Sequence, residues 1–157
     1  MASHVATRLP EVERAAELRS AAMALSGHSR ISDENVAGLY TNGYDLYAQG
    51  RPEKAIHFLA LAAMYRPAEP GYMLALGICQ KALKHYDRAI QAFSMATTFE
   101  PTDPRPALHV AECLLALERP DEAKKLLEAV IEFARLDGGH DVVLRRAEVV
   151  LGLMRKP

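Results

Sequence analysis

The sequence predicts an all-α, right-handed solenoid: three helix–turn–helix repeats set between an N-terminal helix and a C-terminal capping helix. Three observations predict it. First, stretches of the chain superimpose when shifted by thirty-four residues. That shift aligns Gly43 with Gly77 and Ala111, and Ala55 with Ala89 and Ala123. Second, bulky residues keep the same step in Leu59, Phe93 and Leu127, as do Ala62 with Ala96 and Pro67 with Pro101. Third, Pro and Gly fall at the ends of stretches whose apolar residues recur at three- and four-residue spacing, which is helical periodicity.

The elements follow in order. Residues 1–9 read as a flexible terminus. A first helix spans 10–26, opened by Pro10 where a missing N–H costs nothing, with Ala15, Leu18, Ala22 and Leu25 as its apolar stripe. Ser26-Gly27-His28-Ser29 breaks it, Gly27 serving as the stop. Repeat one covers about 36–69. Ser32 caps its entry, Asp33 and Glu34 suit the positive end of a helix, and helices span 33–48 and 52–65 around a turn at Gln49-Gly50-Arg51. Repeat two, 70–103, holds helices at 71–83 and 87–99. Repeat three, 104–137, holds helices at 104–117 and 121–135. Pro67, Pro101 and Pro104 separate the repeats. After Asp137-Gly138-Gly139, a helix at 141–155 presents Val143, Ala147, Val150 and Met154 on one face. It would cover the last open core surface. The organisation is therefore 1–35 for the N-terminal tail and helix, 36–137 for the repeats and 138–157 for the cap, within one domain.

A small–small–bulky–small–Pro pattern at this period is the signature of tetratricopeptide repeats. Its columns have physical causes. Gly43, Gly77 and Ala111 stand where two helices cross closely. Ala55, Ala89 and Ala123 serve that crossing from the other helix, and Leu59, Phe93 and Leu127 fill the space beside it. Cys79 and Cys113 share a column too. Equivalent points on stacked helix pairs lie roughly 10 Å apart, beyond the reach of a disulfide, so both thiols should be buried and reduced. The chain has 157 residues, 19 basic against 20 acidic, and a net charge of −1. Without a basic field it is a poor nucleic-acid binder. No apolar run is long enough for a membrane span, and the N-terminus lacks the apolar core of a secretory signal, so a cytoplasmic protein without stable membrane insertion is expected.

Successive first helices of such repeats line the concave surface. Tyr40, Tyr44 and Tyr47 lie there in repeat one; Leu74, Ile78 and Lys81 in repeat two; Leu108, Glu112 and Leu115 in repeat three, with His109 beside Leu108. Two readings are open for the tyrosine stripe. It is either core beneath the N-terminal helix or one wall of an open groove. Tyrosine suits a groove, offering a large contact area with a polar tip. A clamp for a partner's C-terminal carboxylate would place cations in these columns. Tyr40, Tyr44, Leu74 and Ile78 favour a largely apolar, extended segment instead.

Other constellations are weaker. His109, Glu112 and Cys113 could share a helix face, but no fourth zinc ligand, HExxH or CxxC accompanies them. A Cys113–His109 nucleophilic pair has no orienting third group. No metal, cofactor or catalytic residue is expected, and hence no enzyme.

The class II type III secretion chaperones are the family the chain resembles. The resemblance rests on Ile31-Ser32 leading to Leu39-Tyr40, Gly43-Tyr44, Tyr47 and Gly50, and on Leu76-Gly77-Ile78-Cys79-Gln80 with Tyr86-Asp87-Arg88-Ala89-Ile90. Its most specific part runs from Asp103-Pro104-Arg105-Pro106 through His109-Val110-Ala111-Glu112-Cys113-Leu114-Leu115. It covers roughly 23–135. The resemblance implies a cytosolic bacterial chaperone of hydrophobic, pore-forming translocator subunits, kept soluble and ready for export. It implies that Tyr40, Tyr44, Tyr47, Leu74, Ile78, Leu108 and His109 line pockets for an extended client segment. It also implies a homodimer through the N-terminal helix. Ala107 and Leu108 stand where some relatives carry aromatics, which would reshape the last pocket. The alternative is a general tetratricopeptide adaptor or scaffold.

Overall fold

The computed structural model describes residues 2–26 and 31–154. Eight helices follow one another among them: α1 (Ala2–Ser26), α2 (Asp33–Ala48), α3 (Pro52–Tyr65), α4 (Pro70–Ala82), α5 (Tyr86–Phe99), α6 (Arg105–Ala116), α7 (Pro120–Asp137) and α8 (Asp141–Met154). The helix pairs α2–α3, α4–α5 and α6–α7 form the three repeats. Ser32 caps α2 by accepting the Asn35 N–H at 3.3 Å. Pro52, Pro70 and Pro120 open α3, α4 and α7, where the absent N–H would have had no intrahelical partner. Gly138, at a φ of 70°, ends α7.

The N-terminus departs from expectation. Rather than a flexible stretch, residues 2–9 belong to α1, which runs through Pro10. Proline removes one rung of the helical ladder, and the Ala-, Arg-, Glu- and Leu-rich sequence that follows favours the helix strongly enough to sustain it. The expected stop at Gly27 lies outside the described residues. Of the expected stripe on α1, Ala15 is buried while Leu18 is exposed. This helix packs against α5, and Arg19 pairs with Glu100.

From α2 onward each helix packs on the next in sequence, and α2, α4, α6 and α8 also touch one another in turn. These first helices therefore line the inner, concave side. The close crossings fall where the small column places them. A Cβ built on Gly43 would lie 2.7 Å from Leu59 Cγ, and one on Gly77 only 2.5 Å from Phe93 Cε1. Leu59, Phe93 and Leu127 are almost wholly buried, as are Ala55, Ala89, Ala123 and Ala111.

Each repeat turns in the same way. Arg51, His85 and Arg119 donate their N–H groups to the carbonyls of Leu46, Gln80 and Leu114, five residues back. In each turn the preceding residue is left-handed: Gly50 at φ 74°, Lys84 at 61° and Glu118 at 55°. This is the Schellman closure, which glycine adopts without steric cost and other residues do not.

The last helix continues the repeat and then ends it. Ala147 stands one step beyond Cys79 and Cys113 and, like them, is fully buried. With Val143 and Leu151 it covers Leu108, Leu127, Val130 and Ile131. Val150 and Met154 pack at the margin of that cluster. In the small column, however, Arg145 follows Gly43, Gly77 and Ala111. Its bulk and charge do not suit the close crossing that the small residues make within the repeats.

Candidate functional site: the concave groove

On the inner face a cavity of about 460 Å³ is lined by Tyr40, Tyr44, Tyr47, Leu59, Gly71, Leu74, Ala75, Ile78 and Arg105. The tyrosines come from one face of α2. Leu74 and Ile78 rise from α4, and Arg105 from the start of α6. Because α1 packs on α5, it leaves the stripe open, and Tyr44 is 55% exposed. Tyr40 and Tyr47 are half-buried and pack against the core around Leu59.

Two features of the wall were absent from the sequence reading. Tyr72 stacks on Tyr40 with ring centres 4.9 Å apart, and Tyr44 tilts towards Tyr40 at 6.2 Å. Burial, aided by the charge of Glu69, raises the Tyr72 phenol pKa, so it stays a neutral donor. Arg105 is held by Asp103 through its Nε, 2.9 Å from Oδ1, and its second nitrogen, 2.8 Å from Oδ2. That bond raises the guanidinium further. Both residues sit at the N-terminal ends of α4 and α6, where column reasoning centred on the middle of the helix does not look. An X-Pro pair with an Asp two residues earlier was the available signal for Arg105.

At the other end the groove becomes polar. Lys81 Nζ lies 2.5 Å from Glu112 Oε2 and 2.9 Å from His109 Nδ1. His109 Nδ1 is 3.2 Å from the same Glu112 oxygen, and Arg146 contacts Glu112 Oε1 at 2.6 Å. A single Nδ1 serves one partner at a time, accepting from Lys81 where it carries no hydrogen or donating to Glu112 where it does. Burial pushes the Glu112 carboxyl up, but hydrogen bonds from His109 and Lys81 and the charges of Lys81 and Arg146 more than reverse this, holding it at about 2. His109 also stacks on Phe93, with centres 5.1 Å apart, which fixes its ring beneath the groove. Arg146, from the capping helix, was not among the expected site residues.

One expected groove residue lies elsewhere. Leu108 is 3% exposed and belongs to the core where α6, α7 and α8 meet. The column rule assumes that every inner helix has the same neighbours, and α8 closes over α6. Cys79 and Cys113 are buried and unbridged, and desolvation pushes both thiols up to about 11. Among the described residues no cluster of three His, Cys, Asp or Glu forms a metal-binding set, and no helix is long and apolar enough to cross a membrane. A larger cavity, about 620 Å³, lies between α7 and α8, away from the groove, with Glu128, Glu132, Arg135 and Glu148 on its walls.

The tetratricopeptide repeat family model matches residues 46–108 and again 84–138. No curated protein matches the sequence. Among solved structures the chain is similar to PcrH of Pseudomonas aeruginosa bound to the chaperone binding region of PopD. The two are 26% identical with a TM-score of 0.74, over 80% of this chain and 95% of that one. It is similar to SycD, a type III secretion translocator chaperone of Yersinia enterocolitica, at 26% identity and a TM-score of 0.72, over 78% and 92% of the two chains. It is also similar to SycD in complex with a peptide of the translocator YopD, at 25% identity and a TM-score of 0.74, over 81% and 97%. The structural neighbours are thus translocator chaperones built from helix pairs of this kind. With the family match extending over 46–138 and falling on the observed thirty-four-residue helix pairs, the chain belongs to the tetratricopeptide repeat family.

Proposed function

We propose that the protein is a chaperone of a hydrophobic type III secretion translocator, which it binds through an extended apolar segment of the client laid across the concave groove. The observation that carries this reading is the open groove of Tyr40, Tyr44, Tyr47, Leu74 and Ile78. It occurs on a fold shared with PcrH and SycD, which are seen with the chaperone binding region of PopD and a YopD peptide. A membrane-inserting client carries apolar stretches that aggregate in water. A recessed groove offers matching apolar surface without a flat exposed patch, so the chaperone stays soluble when empty. The protein acts by binding rather than by chemistry, in the cytoplasm of a bacterium. Supporting this, thiols held at about 11 are poor nucleophiles at neutral pH. The free chain pairs with itself through α1, whose Val12 and Leu18 are exposed.

Co-expression with the translocator encoded beside its gene tests the reading. The wild-type chain keeps the client in the soluble fraction and co-purifies with it. Tyr40→Glu combined with Tyr47→Glu sends the client to the pellet while the circular dichroism of the chaperone stays helical. A double variant that protects the client as well as wild type would rule out the groove. A stable native complex containing no pore-forming subunit would favour the general adaptor.

A further inference from the structure

The inner face changes character along the array, and this deepens the groove reading on which the following inference rests. In one column the residues run Tyr44, Ile78, Glu112, Arg146, from aromatic through aliphatic to charged. Ile78 lines the apolar cavity, and Lys81 lies one helical turn further along α4. There Glu112, one carboxylate, faces two permanent cations, Lys81 and Arg146, as well as His109. The junction therefore carries an excess of positive charge whether His109 is neutral or protonated. At the other edge of the groove Asp103 compensates Arg105. The Glu112 and Lys81 side chains are only 16% and 22% exposed, which strengthens charge interactions relative to open water. Arg146 is 53% exposed. Its guanidinium fork has five N–H groups, enough to hold Glu112 and a second carboxylate together.

We propose that this junction binds a carboxylate side chain of the client segment, so that the groove selects an extended segment whose apolar anchors are accompanied at one end by an Asp or Glu. The apolar end and the cationic end then fix the direction in which the segment lies. Adjacent helices are ~10 Å apart and an extended chain advances ~3.3 Å per residue, so the acid falls about three residues beyond the last apolar anchor.

Fluorescein-labelled ten-residue peptides test this with the full-length protein. Each carries leucine anchors at alternate positions and, three residues past the last leucine, Glu, Gln or Lys. All are acetylated and amidated, so that charge at that end resides in the side chain alone. Fluorescence anisotropy at low salt should rank Glu above Gln above Lys, with Glu about tenfold tighter than Gln, and 0.5 M salt should narrow the gap. Arg146→Gln should collapse the Glu-to-Gln ratio, and Arg146→Lys should restore part of it. Equal binding of the Glu and Gln peptides to wild type overturns the carboxylate site and leaves the apolar groove standing. A ratio unchanged in Arg146→Gln overturns it as well. Failure of all three peptides to bind overturns the groove reading together with the site.

Discussion

At the scale of single residues, the repeat exposes where identity is forced and where it is tolerated. Gly77 is forced. A Cβ there would meet three Phe93 ring carbons at 2.5 to 2.9 Å, and that ring is fully buried and stacked on His109. Gly77→Ala should cost ~1–3 kcal/mol in urea unfolding, and combining it with Phe93→Leu should recover part of the loss. Lys84 and Glu118 are tolerated rather than preferred, since they hold the left-handed position that Gly50 fills freely. Lys84→Gly and Glu118→Gly should each raise stability by ~0.5–1 kcal/mol, the gain from relieved strain exceeding the added chain entropy. Glu118 should gain more, because a negative charge is also misplaced at a helix C-terminus. The thiols give a third expectation. With both pKa values near 11, Cys79 and Cys113 should resist iodoacetamide at pH 7.5 and react only in denaturant. Reaction at the rate of a free thiol in the native protein would contradict their burial.

At the scale of elements, the capping helix carries the argument. Without residues 138–157 the side chains of Leu108, Leu127, Val130 and Ile131 would face water. The truncated chain should melt at a much lower temperature and bind more of an apolar dye than wild type does. Most element boundaries were legible in the sequence, because Pro52, Pro120 and the Asp137-Gly138-Gly139 break act locally on the backbone. The start of α1 was not. A proline reads as a helix opening from sequence alone, and the residues before it join the helix through the structure of the whole segment. Leu108 was misread for a related reason. Its column predicts which way it points but not that a helix beyond the third repeat will cover it.

At the scale of the molecule, Glu112 joins three inner helices: its own α6, α4 through Lys81, and α8 through Arg146. Its carboxyl has a pKa of about 2 in the fold against an ordinary 4.5. The stability it contributes is thus fully present above about pH 4.5 and is lost as the pH falls towards 2. Urea midpoints measured between pH 6 and 3 should fall with acid in wild type, and the fall should be smaller in Glu112→Gln. An identical acid profile in the variant would mean that other carboxylates dominate. The apolar half of the groove followed from periodicity, since Tyr40, Tyr44 and Tyr47 lie within eight residues of one helix. The polar half was legible in part: the columns put Lys81, His109 and Glu112 on the inner face, but Arg146 belongs to the capping helix, beyond the repeats to which the columns were applied.

The number of inner helices has a consequence for reach. Among the described residues the inner face comprises four helices, so the groove there spans three gaps of ~8–10 Å, roughly 25–30 Å. An extended chain covers that length in about eight or nine residues. Such a groove cannot wrap a client whose apolar stretches are many times longer. It can only occupy one short address on it. Protection must then depend on where that address lies along the client, and one groove should engage one site whatever the client's total length.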